Sequence, residues 1–299
     1  MTNDTNKLLA IVGPTASGKS AWGERLAKKY RGAILSADSR QIYKELSIGT
    51  NAPTKQTQRR IPHYFIQTLQ PTKAYSVGQF QREATRALRH CWKNRRLPIV
   101  VGGTGLYIDA LVSGFSFPTK KPEPALRRRL IRLSLSQLFT TLRRLAPKTA
   151  ATIDQHNRHR LIRTLEIAMA TGQEPITLRQ RQGKPWDCLL IGVSMDRQTL
   201  YHRIDQRVDL MIRRGLIAEV RRLSKKYSWE LPAMSGIGYK QIGQYLRGEI
   251  SRAEAIRLIK RDTRHYAKRQ LTWFRRNRQI HWFSHYTQAE KAVRTFLAN

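Results

Sequence analysis

The sequence predicts an α/β protein: a parallel sheet flanked by helices, with a small helical domain inserted into it. Three observations predict it. An apolar run at residues 8–12 leads into a glycine-rich turn, Gly13-Pro14-Thr15-Ala16-Ser17-Gly18-Lys19-Ser20, and then into a helical pattern. A second, β-branched run, Leu97-Pro98-Ile99-Val100-Val101, repeats the strand–turn–helix order through Gly102-Gly103-Thr104-Gly105. From residue 118 to 185 strand signals give way to Arg- and Leu-rich helical patterns, and an apolar run at 188–193 then resumes the strands.

Residues 13–20 fit the pattern G-x-x-x-x-G-K-[ST], which makes the expected sheet P-loop NTPase-like. Gly13 and Gly18 permit backbone conformations that turn several N–H groups inward on phosphate oxygens. The following helix adds its positive dipole end, Lys19 a full charge, and Ser20 a hydroxyl for a magnesium ion. On this loop alone, ATP or GTP is the first ligand to consider.

The remaining elements follow in order. Trp22, Leu26 and Ala27 mark a helix over 21–30, closed by Arg31-Gly32. The short strand 33–36 ends at Asp38-Ser39-Arg40-Gln41, which places Asp38 toward the phosphate loop, because parallel strands open one crevice at their carboxyl ends. Three roles are open to Asp38: magnesium ligand, general base, or helix N-cap. His63 reads as a structural histidine more readily than a catalytic one. Ser76 caps a helix whose stripe runs through Phe80, Ala84, Ala87, Leu88 and Cys91.

Pro118, Pro122 and Pro124 form a linker, followed by helices over 125–133, 138–145 and 157–171. The expected organisation is thus a core domain at 1–117 and 186–299, with an inserted helical subdomain at 118–185. Arg158, His159, Arg160 and Arg163 crowd the start of the subdomain's last helix, either as a solvated face or as a phosphate-backbone surface. After the returning strand, helices are expected over 200–211 and 216–227, then a glycine-bearing turn at 235–241. A long helix over 251–279 carries ten Lys and Arg against two acidic residues. Ile256, Ile259, Thr263, Ala267, Leu271 and Phe274 form its apolar stripe. Arg257, Arg261, Arg264, Lys268 and Arg269 form a row suited to a sugar-phosphate backbone. A last strand over 280–283 and a helix over 288–297 close the chain.

Composition narrows the class. Hydrophobic residues make up 40% of the 299, enough for a packed core and too many for wholesale disorder. Lys and Arg number 56 against 20 Asp and Glu, a net charge of +36, which points to a nucleic acid rather than a small metabolite as partner. Cys91 and Cys188 form no C-x-x-C pair, so neither a zinc site nor a disulfide framework is expected. No run approaches the ~20 apolar residues that span a bilayer, and no apolar leader precedes the first strand. A cytoplasmic protein without a membrane partner, monomeric by default, is expected.

No apolar strand ends in a second magnesium-binding aspartate unless Asp38 serves. A diphosphate-sized cradle, a carboxylate opposite and a basic surface suit a reaction in which diphosphate leaves and a nucleic-acid amine attacks. The chain also resembles a known family. Residues 13–20, Asp38-Ser39-Arg40-Gln41-Ile42-Tyr43, Tyr75-Ser76-Val77 and Gly102-Gly103-Thr104-Gly105-Leu106-Tyr107 resemble the tRNA dimethylallyltransferases. So do Arg203-Ile204-Asp205-Gln206-Arg207, Gly215-Leu216-Ile217-Ala218-Glu219-Val220, Ile237-Gly238-Tyr239-Lys240 and Tyr266-Ala267-Lys268-Arg269-Gln270-Leu271-Thr272-Trp273.

The resemblance implies transfer of a dimethylallyl group from dimethylallyl diphosphate to the N6 amine of adenosine 37, beside the tRNA anticodon. It implies Asp38 as general base and Thr104 as a catalytic positioning residue. It implies Gly13, Pro14, Thr15, Ala16, Ser17, Gly18, Lys19, Ser20 and Arg207 around the diphosphate, with Mg2+ at Ser20 as cofactor. Asp38, Ser39, Arg40, Gln41 and Thr104 would meet the flipped-out nucleotide, and His159, Arg160, Leu161, Ile162 and Arg163 the anticodon stem-loop. The inserted helices would be the family's mobile RNA-clasping subdomain. The chain departs from the family at Asn51 or Ala52, where lysine is frequent, and matches it only loosely over 139–148.

Overall fold

Six strands pair in parallel among the residues described by the computed structural model, namely 6–114, 123–177 and 186–299. They are β1 (Lys7–Val12), β2 (Ala33–Ser36), β3 (His63–Tyr64), β4 (Pro98–Gly102), β5 (Asp187–Val193) and β6 (His281–Phe283), in the order β3-β2-β4-β1-β5-β6. β1 is buried along its whole length, which explains its unbroken apolar run: a central parallel strand has no solvent face. Its side chains still alternate. Leu8, Ala10 and Val12 enter one core layer with Phe80, Tyr107 and Phe274, while Leu9 and Ile11 enter the opposite layer with Leu26 and Val293.

The helices are α1 (Lys19–Lys29), α2 (Lys55–Arg60), α3 (Val77–Lys93), α4 (Gly105–Val112), α5 (Pro124–Arg132), α6 (Leu135–Leu145), α7 (Pro147–Ala150) and α8 (Arg158–Thr171). They continue with α9 (Arg197–Arg213), α10 (Leu216–Ser224), α11 (Tyr239–Leu246), α12 (Arg252–Phe274) and α13 (Tyr286–Ala298). Most of the long ones start with a side-chain cap. Ser76, Ser134, Asn157, Asp196 and Ser251 each accept a first-turn amide of α3, α6, α8, α9 and α12. α12 ends at Phe274, five residues before the expected 279, and the basic 275–278 stretch is a turn into β6.

The chain packs as two units, Met1–Val112 with Trp186–Asn299, and Ser113–Pro185. The first division falls at the end of α4, five residues before the expected 117. The expected linker prolines Pro118 and Pro122 lie outside the described residues, as do residues 178–185. The second unit has its own core, built from Leu130, Leu138, Leu142, Leu161, Ile162 and Leu165. Leu161 and Ile162 are at most 4% exposed. Their side chains face this core, so they leave the set of side chains that can touch RNA. Among the described residues no helix is long and apolar enough to cross a membrane.

In the first unit the connections set the site. From β1 the chain passes through α1 to β2, across β4, and from β4 it returns to β5 on the other side of β1. The direction in which strands are added to the sheet therefore reverses between β1 and β4, where such sheets open a crevice at the carboxyl ends of their strands. Val12 pairs with Gly102 and Ser36 with Val101, so the residues after all three strands meet there.

Candidate active site

The phosphate loop turns from β1 into α1 with Gly13 at φ +151° and Gly18 at φ +93°. Gly18 occupies the N-cap of α1, and no side chain bonds the first-turn amides. Unlike the side-chain-capped helices, this N-terminus leaves its first-turn amides without a side-chain cap, an arrangement suited to an anion. Ser17 Oγ is buried without a hydrogen-bond partner among the described residues, a polar atom that a phosphate oxygen would satisfy. Lys19 Nζ folds back to donate to Pro14 O at 3.0 Å. Burial, and then the neighbouring Arg207, push its pKa down to about 8, with Asp38 pulling the other way.

Arg207, on α9, donates from Nη1 to Thr15 Oγ1 at 3.1 Å. Burial lowers its pKa and Asp38 opposes the shift, so two cations and one carboxylate share a partly dehydrated space. Arg203, one turn earlier on α9, has its Nη1 3.8 Å from where a Gly18 β-carbon would stand.

Asp38 is capped into a turn, with Oδ1 accepting from Arg40 N–H at 2.8 Å and Gln41 N–H at 3.3 Å. The N-cap geometry foreseen for it exists, but residues 39–42 form turns that lead to a β-bridge between Tyr43 and Leu69, and no helix follows. Oδ2 bonds no described residue, and Asp38 lines a cavity of about 320 Å³. Across from it, Thr104 Oγ1 accepts from Ser39 N–H at 3.2 Å and meets the phenol of Tyr266. Burial first and Asp38 next raise the Tyr266 pKa to about 12, keeping the phenol protonated. Polar Thr15, Asp38, Arg40, Arg207 and Arg269 line the cavity together with Val208, Met211, Ile237, Tyr239 and Ile259.

Two expected nucleotide contacts are otherwise engaged. Gln41 donates to Thr50 O and Asn51 O and accepts from Ser36 Oγ, knitting the 48–52 loop to β2. Arg40 donates to Pro232 O and Ser235 Oγ, tying the Asp38 turn to the glycine-bearing turn at 235–238. His63 donates from Nδ1 to Ile61 O, 2.7 Å away, and does not line the cavity. On the second unit, His159 and Arg160 are exposed at the start of α8, whereas Arg163 pairs with the buried Glu166 at 3.1 Å.

A family model described as IPP transferase matches residues 41–277, and one described as isopentenyl transferase matches residues 6–71. The chain is 45% identical over 287 residues to the tRNA dimethylallyltransferase of Carboxydothermus hydrogenoformans, covering 93% of this chain and 92% of that protein. The chain belongs to the tRNA dimethylallyltransferase family. It is 43% identical to the Thermomicrobium roseum protein of the same description, covering 94% of this chain and 87% of that one. The structure of the Bacillus halodurans tRNA isopentenylpyrophosphate transferase superposes with a TM-score of 0.73 at 36% identity, over 98% of this chain and 96% of that one. A eukaryotic dimethylallyltransferase acting on tRNA superposes at 0.79 with 28% identity, over 90% of this chain and 69% of that one.

Within this tRNA dimethylallyltransferase fold, several residues that the sequence showed only as parts of family motifs turn out to line or brace the cavity. Tyr266 and Arg269 line it from α12, the guanidinium of Arg269 lying 5.8 Å from the Tyr266 ring centroid. Glu219 is 7% exposed, and its carboxylate accepts the N–H groups of Ser47, Ile48 and Gly49 and the Tyr239 hydroxyl at 2.7 Å. It thereby pins the cavity-lining Gly49-Thr50 segment against Tyr239. A β-carbon on Gly49 would stand 2.4 Å from that ring, so the close approach requires glycine. The sequence signal was an acid on the buried face of an amphipathic helix.

Proposed function

We propose that the chain transfers a dimethylallyl group from dimethylallyl diphosphate to the N6 amine of adenosine 37, beside the anticodon of tRNA, and releases diphosphate. One observation carries the reading: Lys19, at an uncapped helix N-terminus, is electrostatically coupled to Arg207 and Asp38, and Arg207 lines one cavity with Asp38, a carboxylate with a free oxygen. The diphosphate lies against the amides of residues 13–20, where positive charge stabilises it as it leaves. The bond from its oxygen to the allylic carbon breaks as the N6–carbon bond forms. The amine proton passes to Asp38, whose Oδ1 is held by two backbone amides while Oδ2 receives it. Thr104, fixed between Ser39 and Tyr266, orients the attacking nucleotide.

Ser20 is exposed in the first turn of α1, and among the described residues no cluster of three or more His, Cys, Asp or Glu gathers. The Ser20 hydroxyl would help hold a magnesium ion brought in with the diphosphate, since magnesium is bound largely through substrate phosphates and water. Bound with the diphosphate, magnesium would neutralise charge on the leaving group. His159 and Arg160, together with the exposed Lys268 and Arg269 on α12, offer phosphate-backbone contacts. Arg257, Arg261 and Arg264 are already paired with Glu254, Asp262 and Asp205, so their share in RNA binding is smaller than the sequence implies.

Incubating the protein with magnesium, labelled dimethylallyl diphosphate and tRNA should place label on tRNA as N6-dimethylallyladenosine and leave adenosine monophosphate unlabelled. Efficient labelling of the monophosphate, or ATP-dependent phosphorylation in place of alkylation, overturns the reading.

A further inference from the structure

Neither the apolar stripe nor the basic face of α12 accounts for Gln270. Its side chain is 5% exposed and holds two backbone groups from opposite sides of the crevice. Oε1 accepts from the Thr15 N–H at 2.8 Å, and Nε2 donates to Gly103 O at 2.9 Å. Thr15 N can only donate and Gly103 O can only accept, so the partners fix which way the carboxamide points. A β-carbon on Gly103 would stand 2.0 Å from Nε2, so the second turn carries glycine where the amide passes. Its neighbours on the same helical face serve the same turn. Tyr266 meets Thr104, and Trp273 donates from Nε1 to Asp109 Oδ2 at 2.9 Å while its ring covers Gly105.

Both tethered residues lead directly to groups with a chemical role. Thr15 lines the cavity and takes Arg207 on its hydroxyl. Gly103 precedes Thr104, whose hydroxyl takes the amide next to Asp38. We infer that Gln270 is a positioning residue, a crosspiece that fixes the diphosphate-side turn at Thr15 against the nucleophile-side turn at Gly103. The inference rests on the proposed function for what lies on each side. Alkyl transfer needs the amine, the allylic carbon and the departing oxygen in line, and a misplacement of about 1 Å costs roughly 100-fold in rate.

The test uses the full chain with Gln270→Met, which removes both hydrogen bonds at similar volume, Gly103→Ala, which expels the amide from the other side, and the double variant. Three quantities are read for each: affinity for inorganic diphosphate by calorimetry, single-turnover transfer at saturating tRNA and donor, and tRNA affinity. Each single variant should lose about 100-fold in single-turnover rate and about tenfold in diphosphate affinity, with tRNA affinity unchanged. The double variant should lose no more than the worse single one, because both changes break one interaction. Gln270→Met carries the test by itself if Gly103→Ala does not fold. A wild-type diphosphate affinity and rate per folded molecule in Gln270→Met overturn the inference, as do losses that multiply in the double variant. Failure of the functional reading shows instead in the wild type, which would bind diphosphate and transfer nothing; the calorimetric comparison still decides the role of Gln270.

Discussion

Two glycine turns, on neighbouring parallel strands, look alike in sequence and do different work. The first follows β1 and uses glycine for conformation: Gly13 and Gly18 have positive φ, and a β-carbon on Gly18 would come no nearer than 3.8 Å to its neighbour, Arg203 Nη1. The second follows β4 and uses glycine for clearance. None of its glycines has a positive φ, yet β-carbons on Gly102, Gly103 and Gly105 would strike Ala37, Gln270 and Trp273 within 2.2 Å. One turn is left open for a ligand, and the other is packed so that its neighbours stay put. A glycine-rich motif therefore does not say by itself whether it cradles or braces.

On the proposed reaction, that contrast pairs leaving-group binding with the first turn and alignment of the nucleophile with the second. Asp38→Ala, on the second side, should lower the single-turnover rate by about 1,000-fold, while calorimetry finds inorganic diphosphate binding retained. Equal losses in both would erase the division of labour. Gly102→Ala forces a β-carbon to 2.2 Å from the Ala37 carbonyl oxygen, a backbone atom. It should cost about 3 kcal/mol in urea unfolding, against about 1 kcal/mol for Gly18→Ala, where only the conformation is strained.

The smallest effect concerns Lys19. With its pKa at about 8 in the free protein, the ammonium is charged below that pH and neutral above it. Diphosphate affinity should therefore hold up to about pH 8 and then fall by about tenfold per pH unit, as binding takes up one proton. Lys19→Met should flatten that profile. Stability moves the other way, because the unfolded chain keeps the proton to higher pH than the folded one. The Lys19 contribution thus grows more favourable as pH rises above 8.

The crevice was legible because three strand ends carried glycines or an acid in a parallel pattern, and the observed pairing brings Gly13, Asp38 and Gly102 together. The insertion was legible from the loss of strand signals. What stayed hidden was tertiary. Tyr266, Gln270 and Trp273 share a helical face, but polar and aromatic residues scattered among arginines give no periodic signal. Gln41 read as a substrate contact because its motif sits at the site, whereas its amide is consumed by Thr50 and Asn51. The arginine row on α12 overstated free charge, since pairing with Asp205 or Asp262 is invisible to a residue count.

The placement of Gln270 has a consequence for biosynthesis. Proteins emerge from the ribosome amino end first, and folding can begin during synthesis. By residue 112 a nascent chain has made both glycine turns, Asp38 and Thr104, every expected catalytic and diphosphate residue except Arg207. β1 at that stage is an open edge, because its partner β5 has not been made. The strut between the turns arrives only with α12, some 160 residues later. A message truncated before that helix would yield a chain carrying the recognisable signature with its two halves out of alignment.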